Sequence, residues 1–325
     1  MKFNPGRSFG FASIKGLVFT KWPMSLFAGA GRALPGRVLK VLLSLFLASS
    51  LHAQVSAPAG SELVSNLDLT INPALEQEFH RLRTEGICDI SRHFDKESNT
   101  YYFLTRIFHK DKNGKLIKLR LALSDKPEGE AVRNFAIRKN TTLAFNASMG
   151  LKKLPPGIRQ AVGIQIVDGV IVQDRTTRCY TLGIRDNNEL LPYKPGPSAH
   201  FILDDGVKTA LTGFIPLIED HQPVSEELFK IAGNSIAKNP RQVIAQFDNL
   251  DILFLSCGGR GYDGQGMTAK DLIRVLNALD VRFAFNLDGG GSVSTVVGDR
   301  LIVKKIDGHG TLERLRPNFL YILNH

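Results

Sequence analysis

Cysteine is scarce in this chain, and none of Cys88, Cys179 and Cys257 belongs to a Cys-x-x-Cys pair. That spacing gives no support to a zinc site or a thiol redox motif. Either one disulfide with a leftover thiol or three buried free thiols fits what remains. His-Glu-x-x-His, the phosphate-loop Gly-x-x-x-x-Gly-Lys pattern and the hydrolase Gly-x-Ser-x-Gly elbow are all missing. His80, His93, His109, His200, His221 and His309 lie scattered, without ligand spacing, so they read as surface or structural residues. No repeats or low-complexity tracts occur. Acidic residues are absent from residues 1–53, which hold seven of the 41 basic side chains. The remaining 34 basic residues face 31 acidic ones, so the formal net charge of +10 shrinks to +3 beyond residue 53. That is an ordinary surface, and it argues against nucleic acid as a partner. The apolar run Val41 to Leu51 is also too short to cross a bilayer, which takes about 20 residues.

That run follows Arg32, Arg37 and Lys40 and precedes His52-Ala53-Gln54, the order expected of a secretory signal cleaved after Ala53. The long basic stretch leaves Met24 as an alternative start to Met1, and the lack of an Arg-Arg pair favours Sec-type over twin-arginine export. The expected division is therefore a signal peptide over 1–53, a linker and N-terminal extension over 54–84, and a folded domain over 85–325. A periplasmic or secreted protein without a stable membrane span follows.

Past the signal, turn signals and apolar runs alternate. Pro73 to Arg83 predicts a short helix. Asn113-Gly114 predicts a hairpin between Tyr101–Phe108 and Leu116–Leu123, and Asp168-Gly169 another between Gly163–Val167 and Val170–Val172. A third joins Val243–Phe247 to Ile252–Leu255. Thr268 as cap, Asp271 in the first turn, and Leu272, Leu276 and Leu279 on one face predict a helix. Val293–Val297 and Leu301–Lys305 pair across Gly298-Asp299, and Phe319–Leu323 closes the domain. The fold class is α+β, a hairpin-rich mixed β-sheet core with a few packed helices.

The most informative segment is Asn286-Leu287-Asp288-Gly289-Gly290-Gly291-Ser292, set between Val281–Phe285 and Val293–Val297. Three successive glycines are entropically poor in such a place, so a close backbone approach is the expected reason. With polar flanks, they read as a site rather than a plain turn. A second glycine pattern, Gly259-Arg260-Gly261-Tyr262-Asp263-Gly264, fits the dinucleotide fingerprint Gly-x-Gly-x-x-Gly between a strand and a helix. Its last glycine falls short of the helix start at Thr268, which weighs against that reading.

These residues together resemble the phosphodiester glycosidase family, that of the lysosomal "uncovering enzyme" and of exported bacterial proteins linked to exopolysaccharide. The likeness covers roughly residues 85–323. Leu143 to Met149 resembles the family's strand ending in Asn-Ala/Gly-Gly, and Asn239-Pro240-Arg241 its Pro-Arg element. Gly259-Arg260 with Gly266-Met267-Thr268 resembles its Asp-Gly-Arg … Gly-Met-Thr segment. Residues 286–292 match its Asn-Leu-Asp-Gly-Gly-Gly-Ser hallmark in full, and Arg314 with Asn318 fits its C-terminal Arg…Asn pair. Two departures stand out: Gly258 replaces the acid of Asp-Gly-Arg, and Gly150 replaces an aromatic.

The resemblance implies an enzyme acting on carbohydrate or sugar phosphate, a glycoside hydrolase cleaving a sugar-1-phosphodiester. Asp288 suits the carboxylate at the anomeric carbon, and Arg241 and Arg260 suit the phosphate, which a guanidinium binds in a planar fork. Gly289, Gly290 and Gly291 would bring backbone N–H groups to the same oxygens. Asn146 and Asn286 would bond sugar hydroxyls or an acetamido group, Ser292 would orient Asp288, and Arg314 would assist binding. No cofactor is expected; a divalent cation on Asp288 and nearby carbonyls is left open. The alternatives are a carbohydrate-binding protein that keeps the pocket without catalysis, suggested by Gly258, and a dinucleotide enzyme built on Gly259, Gly261 and Gly264.

Overall fold

Left-handed backbone marks the places where this chain reverses. Asp168 (φ 48°) and Gly169 (φ 82°) both take positive φ, which two-residue hairpin turns require, and they join the paired strands Gln165–Val167 and Val170–Gln173. Leu250 (φ 66°) turns the strand Arg241–Gln246 back onto Ile252–Cys257 in unbroken register, from Arg241 opposite Cys257 to Gln246 opposite Ile252. The structure is a computed structural model that describes residues 61–63, 72–150, 160–231 and 235–323. The signal segment, its cleavage site and Met24 lie outside the described residues.

Three larger sheets form the body. The first has seven strands in the order Gln222–Pro223, Pro216–Glu219, Phe283–Asn286, Arg241–Gln246, Ile252–Cys257, Thr100–Ile107 and Cys88–Asp95. The second has five, in the order Arg300–Leu301, Thr295–Val297, Thr141–Asn146, Asn318–Leu323 and Arg120–Leu123. A third five-stranded sheet centres on Val207–Thr212 and carries the helix Ala199–Asp204 through Ala199 and Ile202. A short strand, Ser61–Leu63, pairs with Leu312–Arg314. Every pairing of these strands is antiparallel, so within the α+β class the sheets are antiparallel rather than mixed.

The first two sheets share one core. Phe145 on the second stacks on Phe254 of the first, ring centroids 3.7 Å apart and planes 5° from parallel. The helix Ala269–Asn277 links the strands Ile252–Cys257 and Phe283–Asn286, which flank Arg241–Gln246 on its two sides. Its start is set as the sequence predicts. Thr268 Oγ1 accepts from the Asp271 N–H, and Asp271 Oδ2 accepts from the Thr268 N–H at 2.9 Å, a reciprocal capping box. Leu272 and Leu276 are buried beneath it.

Two expectations change. Asn113-Gly114 does form a turn, with Asp111 Oδ1 accepting from the N–H groups of Asn113 and Lys115. Its flanks nevertheless part: Thr100–Ile107 pairs with Cys88–Asp95 and Ile252–Cys257, whereas Arg120–Leu123 pairs with Asn318–Leu323 in the other sheet. A turn dipeptide fixes where the chain reverses, and burial decides what each strand then pairs with. The expected boundary at residue 85 also cuts through packing, because the helix Pro73–Thr84 buries Leu75 and Leu82 in the shared core. All three cysteines are buried free thiols.

Replacing Phe254 by alanine should lower unfolding free energy by about 3–5 kcal/mol, the usual cost of emptying a buried phenylalanine site. Urea unfolding of the Phe254→Ala variant measures it.

Candidate active site

Residues 287–294 carry the chain from the strand Phe283–Asn286 of the first sheet to Thr295–Val297 of the second. The seam has to be held shut around a carboxylate. Asp288 Oδ2 accepts from Arg316 Nη2 at 2.6 Å, and the two side chains are only 11% and 3% exposed. The same Arg316 nitrogen donates to the Ser148 carbonyl at 3.0 Å. No partner for Asp288 Oδ1 occurs among the described residues. One oxygen is thus pinned by a guanidinium while the other keeps a fixed direction, an arrangement that suits a nucleophile or a base for water.

Behind Asp288 stands Asn146, fully buried at the end of Thr141–Asn146. Its Nδ2 donates to the Asp288 carbonyl at 2.7 Å, and its Oδ1 accepts from the Ser294 N–H at 2.9 Å. The Asp288 N–H reaches the Ala147 carbonyl at 3.1 Å. Asn146 therefore latches the two ends of the loop together; it is not placed to meet a sugar. Beside it, Asn318 and Gln165 close a buried network on Ser148 Oγ.

The glycines answer to the protein itself. A Cβ on Gly289 would lie 2.7 Å from the Pro240 carbonyl oxygen, and one on Gly291 would lie 2.4 Å from Asp307 Oδ2. Gly290 has φ +64° and donates its N–H to the Pro240 carbonyl at 2.9 Å. The N–H groups of Ser292 and Val293 turn back onto the Gly289 and Gly290 carbonyls. The close approach foreseen for a phosphate is thus made in large part by the neighbouring chain, although Gly289 and Gly290 remain partly exposed.

The arginines divide in the same way. Arg241 is buried, with Nε donating to the Met267 carbonyl at 2.9 Å and Nη2 to that of Ala237 at 2.6 Å and of Ser235 at 3.5 Å. Burial lowers its pKa below the ordinary value, and nearby Arg260 adds to the effect. It is a clamp on the segment 235–239, not a solvent-facing phosphate ligand. Arg260 is the exposed one, in left-handed backbone (φ 54°), with Nε and Nη2 both donating to Asn239 Oδ1. Its Nη2 lies 3.6 Å from where a Gly290 Cβ would be, so a guanidinium with no carboxylate partner among the described residues stands beside Gly290. Arg314 forms a two-pronged pair with Asp307 against Gly291.

Asn286 keeps the expected polarity. It is 4% exposed, and its Oδ1 has no hydrogen-bond partner among the described residues. A buried acceptor left so costs about 1–3 kcal/mol, a cost that a donor on a bound ligand would remove. Ser292 is buried and makes no bond to Asp288, whose orientation comes from Arg316 instead.

The Gly259–Gly264 segment excludes the dinucleotide reading. Gly259 and Tyr262 exchange both backbone bonds, at 2.7 and 3.1 Å, and the Gly261 N–H reaches the Gly264 carbonyl at 2.9 Å. The N–H groups of Gly259, Arg260, Gly261 and Tyr262 are all taken up within residues 259–265, while the helix starts later, at Ala269. Within this hairpin a Cβ on Gly258 would meet the Tyr262 carbonyl oxygen at 2.3 Å and Asp263 Cβ at 2.7 Å. Asp263 occupies the space a side chain at 258 would need. Its own carboxylate, 7% exposed, pairs with Arg92 at 3.2 Å and Lys304 at 3.4 Å. Among the described residues, no three His, Cys, Asp or Glu side chains gather closely enough to hold a metal ion.

Comparison with known proteins gives the family. The family model described as phosphodiester glycosidase matches residues 132–323. The chain belongs to the phosphodiester glycosidase family. It is similar to the SPbeta prophage-derived uncharacterized protein YomE of Bacillus subtilis strain 168, 28% identical over 194 residues. That match takes in 55% of this chain and only 28% of YomE, so the chain spans little over a quarter of that relative. In fold it resembles the zebrafish N-acetylglucosamine-1-phosphodiester alpha-N-acetylglucosaminidase catalytic domain auto-inhibited by its pro-peptide. There the TM-score is 0.60 at 17% identity, over 84% of this chain and 90% of that one. A hypothetical protein from Synechocystis gives 0.57 at 11% identity, over 72% and 61%.

Arg316 was missed in favour of its neighbour Arg314, because both flank the same strand end and the sequence alone does not separate them. What separates them is long-range: the pairing of Phe319 with Asn146 carries Arg316 back alongside Ser148 and Asp288. A second unforeseen group is Lys305, fully buried, whose Nζ donates to the Val293 carbonyl and to Ser294 Oγ. Burial pulls its pKa down to about 8, only partly opposed by Glu313 and Asp307.

Two outcomes follow. Arg241→Ala should lower stability by about 3 kcal/mol, since several buried carbonyls lose their donor at ~1–3 kcal/mol each, and urea unfolding measures it. For Lys305, the folded state binds fewer protons than the unfolded one between about 8 and the ordinary 10.5, so stability rises with pH across that window. Below it both states are charged, and above it both are neutral. Lys305→Met should abolish this rise, as unfolding at pH 8 and pH 10 would reveal.

Proposed function

We propose that this protein hydrolyses a sugar-1-phosphodiester at the anomeric carbon. The observation that carries the reading is Asp288, fixed by Arg316 at the seam, with the exposed Arg260 beside Gly290 and the unpartnered Asn286 Oδ1 close along the chain. Cleavage of the C1–O bond expels a phosphate monoester, a far better leaving group than an alkoxide. Strong proton donation is therefore less necessary than for an ordinary glycoside, and one well-held carboxylate with a cation for the phosphate covers the main needs. Asp288 attacks C1 or activates water, Arg260 meets the phosphate oxygens, and Asn286 Oδ1 accepts from a sugar hydroxyl or acetamido N–H. The name of the zebrafish relative, a glycosidase of an N-acetylglucosamine-1-phosphodiester, supports the reaction class. The basic and apolar N-terminal segment supports export and, with it, a substrate in the cell envelope or an exopolysaccharide.

A second reading keeps the pocket without turnover. It rests on Gly258, where the packed Tyr262 carbonyl and Asp263 leave no room for a carboxylate.

p-Nitrophenyl phosphodiesters of glucose, galactose, mannose and N-acetylglucosamine at C1 separate the two. Hydrolysis at carbon in 18O-water should put the label on the sugar and release p-nitrophenyl phosphate. Label in the phosphate would mean a phosphodiesterase, and binding without release would favour the second reading. Asp288→Asn should retain its fold by circular dichroism and lose at least about a thousandfold in kcat, in line with removal of a reacting group.

A further inference from the structure

The turn between Cys88–Asp95 and Thr100–Ile107 packs against residues 263–266 and carries an aromatic surface with no assigned role. Phe94 and Tyr101 are directly paired across the two strands, and their rings lie 4.7 Å apart, tilted by 47°. They remain 45% and 41% exposed, on a strand pair whose outer member is the edge of the seven-stranded sheet. Arg92, on the same face, holds its guanidinium 4.1 Å from the Tyr101 ring centroid. Further along that face Phe103 is buried, so the row leaves the core and continues into solvent.

This surface is continuous with the site. The Tyr101 N–H donates to the Asp263 carbonyl at 2.7 Å, and Arg92 pairs with the Asp263 carboxylate at 3.2 Å. Asp263 belongs to the closed hairpin whose exposed tip is Arg260, and Arg260 stands against Gly290. Lys304, 38% exposed, pairs with the same Asp263 oxygen as Arg92. Two exposed rings, with Arg92 over one of them, are thus tied through the Asp263 hairpin to Arg260, the cation that would face the phosphate. Rings of this kind, apolar on the face and flanked by hydrogen-bonding groups, suit the C–H face of a pyranose, and the adjoining cations suit a chain that carries phosphate.

We propose that Phe94 and Tyr101 form a subsite for further sugar units of a phosphodiester-linked glycan, so that the protein prefers an oligosaccharide to a single sugar. The proposal rests on the glycosidase reading for its substrate but not for its binding test. With p-nitrophenyl phosphodiesters of one sugar and of its tetrasaccharide, the longer compound should have a KM about tenfold lower, the worth of one good ring contact. Phe94→Ala and Tyr101→Ala should remove that advantage and leave kcat/KM for the single-sugar compound unchanged, and Tyr101→Trp should restore it. Separately, tetrasaccharides of glucose, galactose, mannose and N-acetylglucosamine are titrated into protein carrying 13C-labelled aromatic rings. One of them should shift the Phe94 and Tyr101 signals, and the alanine variants should lose its binding.

Absence of turnover with persistent, ring-dependent tetrasaccharide binding would defeat the glycosidase reading and leave the subsite standing. Equal KM values together with unmoved ring signals would overturn the subsite. So would a wild-type dimer in sedimentation that Phe94→Ala and Tyr101→Ala disperse, because the rings would then be covered by a second copy.

Discussion

Everything at the site depends on one buried ion pair, Asp288 with Arg316, placed where the chain passes between two sheets. Removing two charges from water costs several kcal/mol per ion, which the pair recovers only with good geometry and further hydrogen bonds. Those bonds are present. Arg316 also reaches the Ser148 carbonyl, and the Asp288 backbone is held at both ends, by Ala147 through its N–H and by Asn146 through its carbonyl. The strands Thr141–Asn146 and Asn318–Leu323, hydrogen-bonded neighbours, deliver these partners from opposite directions. The position of one carboxylate is therefore built into the pairing of the second sheet. It does not rest on a loop folding by itself.

The glycine run has a meaning different from the one its composition invites. Three glycines in succession suggest a cradle for phosphate, yet each is required by something within the chain: the Pro240 carbonyl at Gly289, positive φ at Gly290, and the Asp307–Arg314 pair at Gly291. The turn is thin so that the segments before Arg241 and after Lys304 can close on it from two sides. Partial exposure is left at Gly289 and Gly290, the stretch that Arg260 overlooks. A phosphate bound there would meet a surface whose shape is already fixed, which keeps the entropic cost of binding low.

Local features were legible in the sequence where local physics decides them. The Thr268–Asp271 capping box, the Asp168-Gly169 turn and the 241–257 hairpin depend on neighbours within a few residues. What escaped was the choice of partner at long range. Asn113-Gly114 turns the chain, but its two flanks join different sheets, and Cys88–Asp95 takes the place of the expected partner. The same limit governs the arginines. Arg241, Arg260, Arg314 and Arg316 look alike in sequence, and a guanidinium clamping carbonyls differs from one facing solvent only through burial. Asn146 stands where the sequence puts it, and of the two tasks open to it, sugar contact or backbone latch, the structure gives it the second, since a side chain that ends a strand beside a loop serves the backbone first.

Glycine at position 258 is best understood through the hairpin that follows it. Asp263 adopts left-handed backbone (φ 58°) and fills the volume a side chain at 258 would take, and its carboxylate is neutralised by Arg92 and Lys304. A carboxylate so paired sits in a charge environment unlike that of a solvated acid, and placing an acid at 258 would force the Gly259–Tyr262 bridge apart. Position 258 and the hairpin are thus coupled in packing, because the missing side chain at Gly258 leaves the room that the Tyr262 carbonyl and Asp263 fill. That turn also presents Arg260 outward and anchors Tyr101 through the Asp263 carbonyl. The packing at Gly258 therefore reaches both the exposed Arg260 and the aromatic surface beside it, the two features that the proposed phosphodiester substrate would meet.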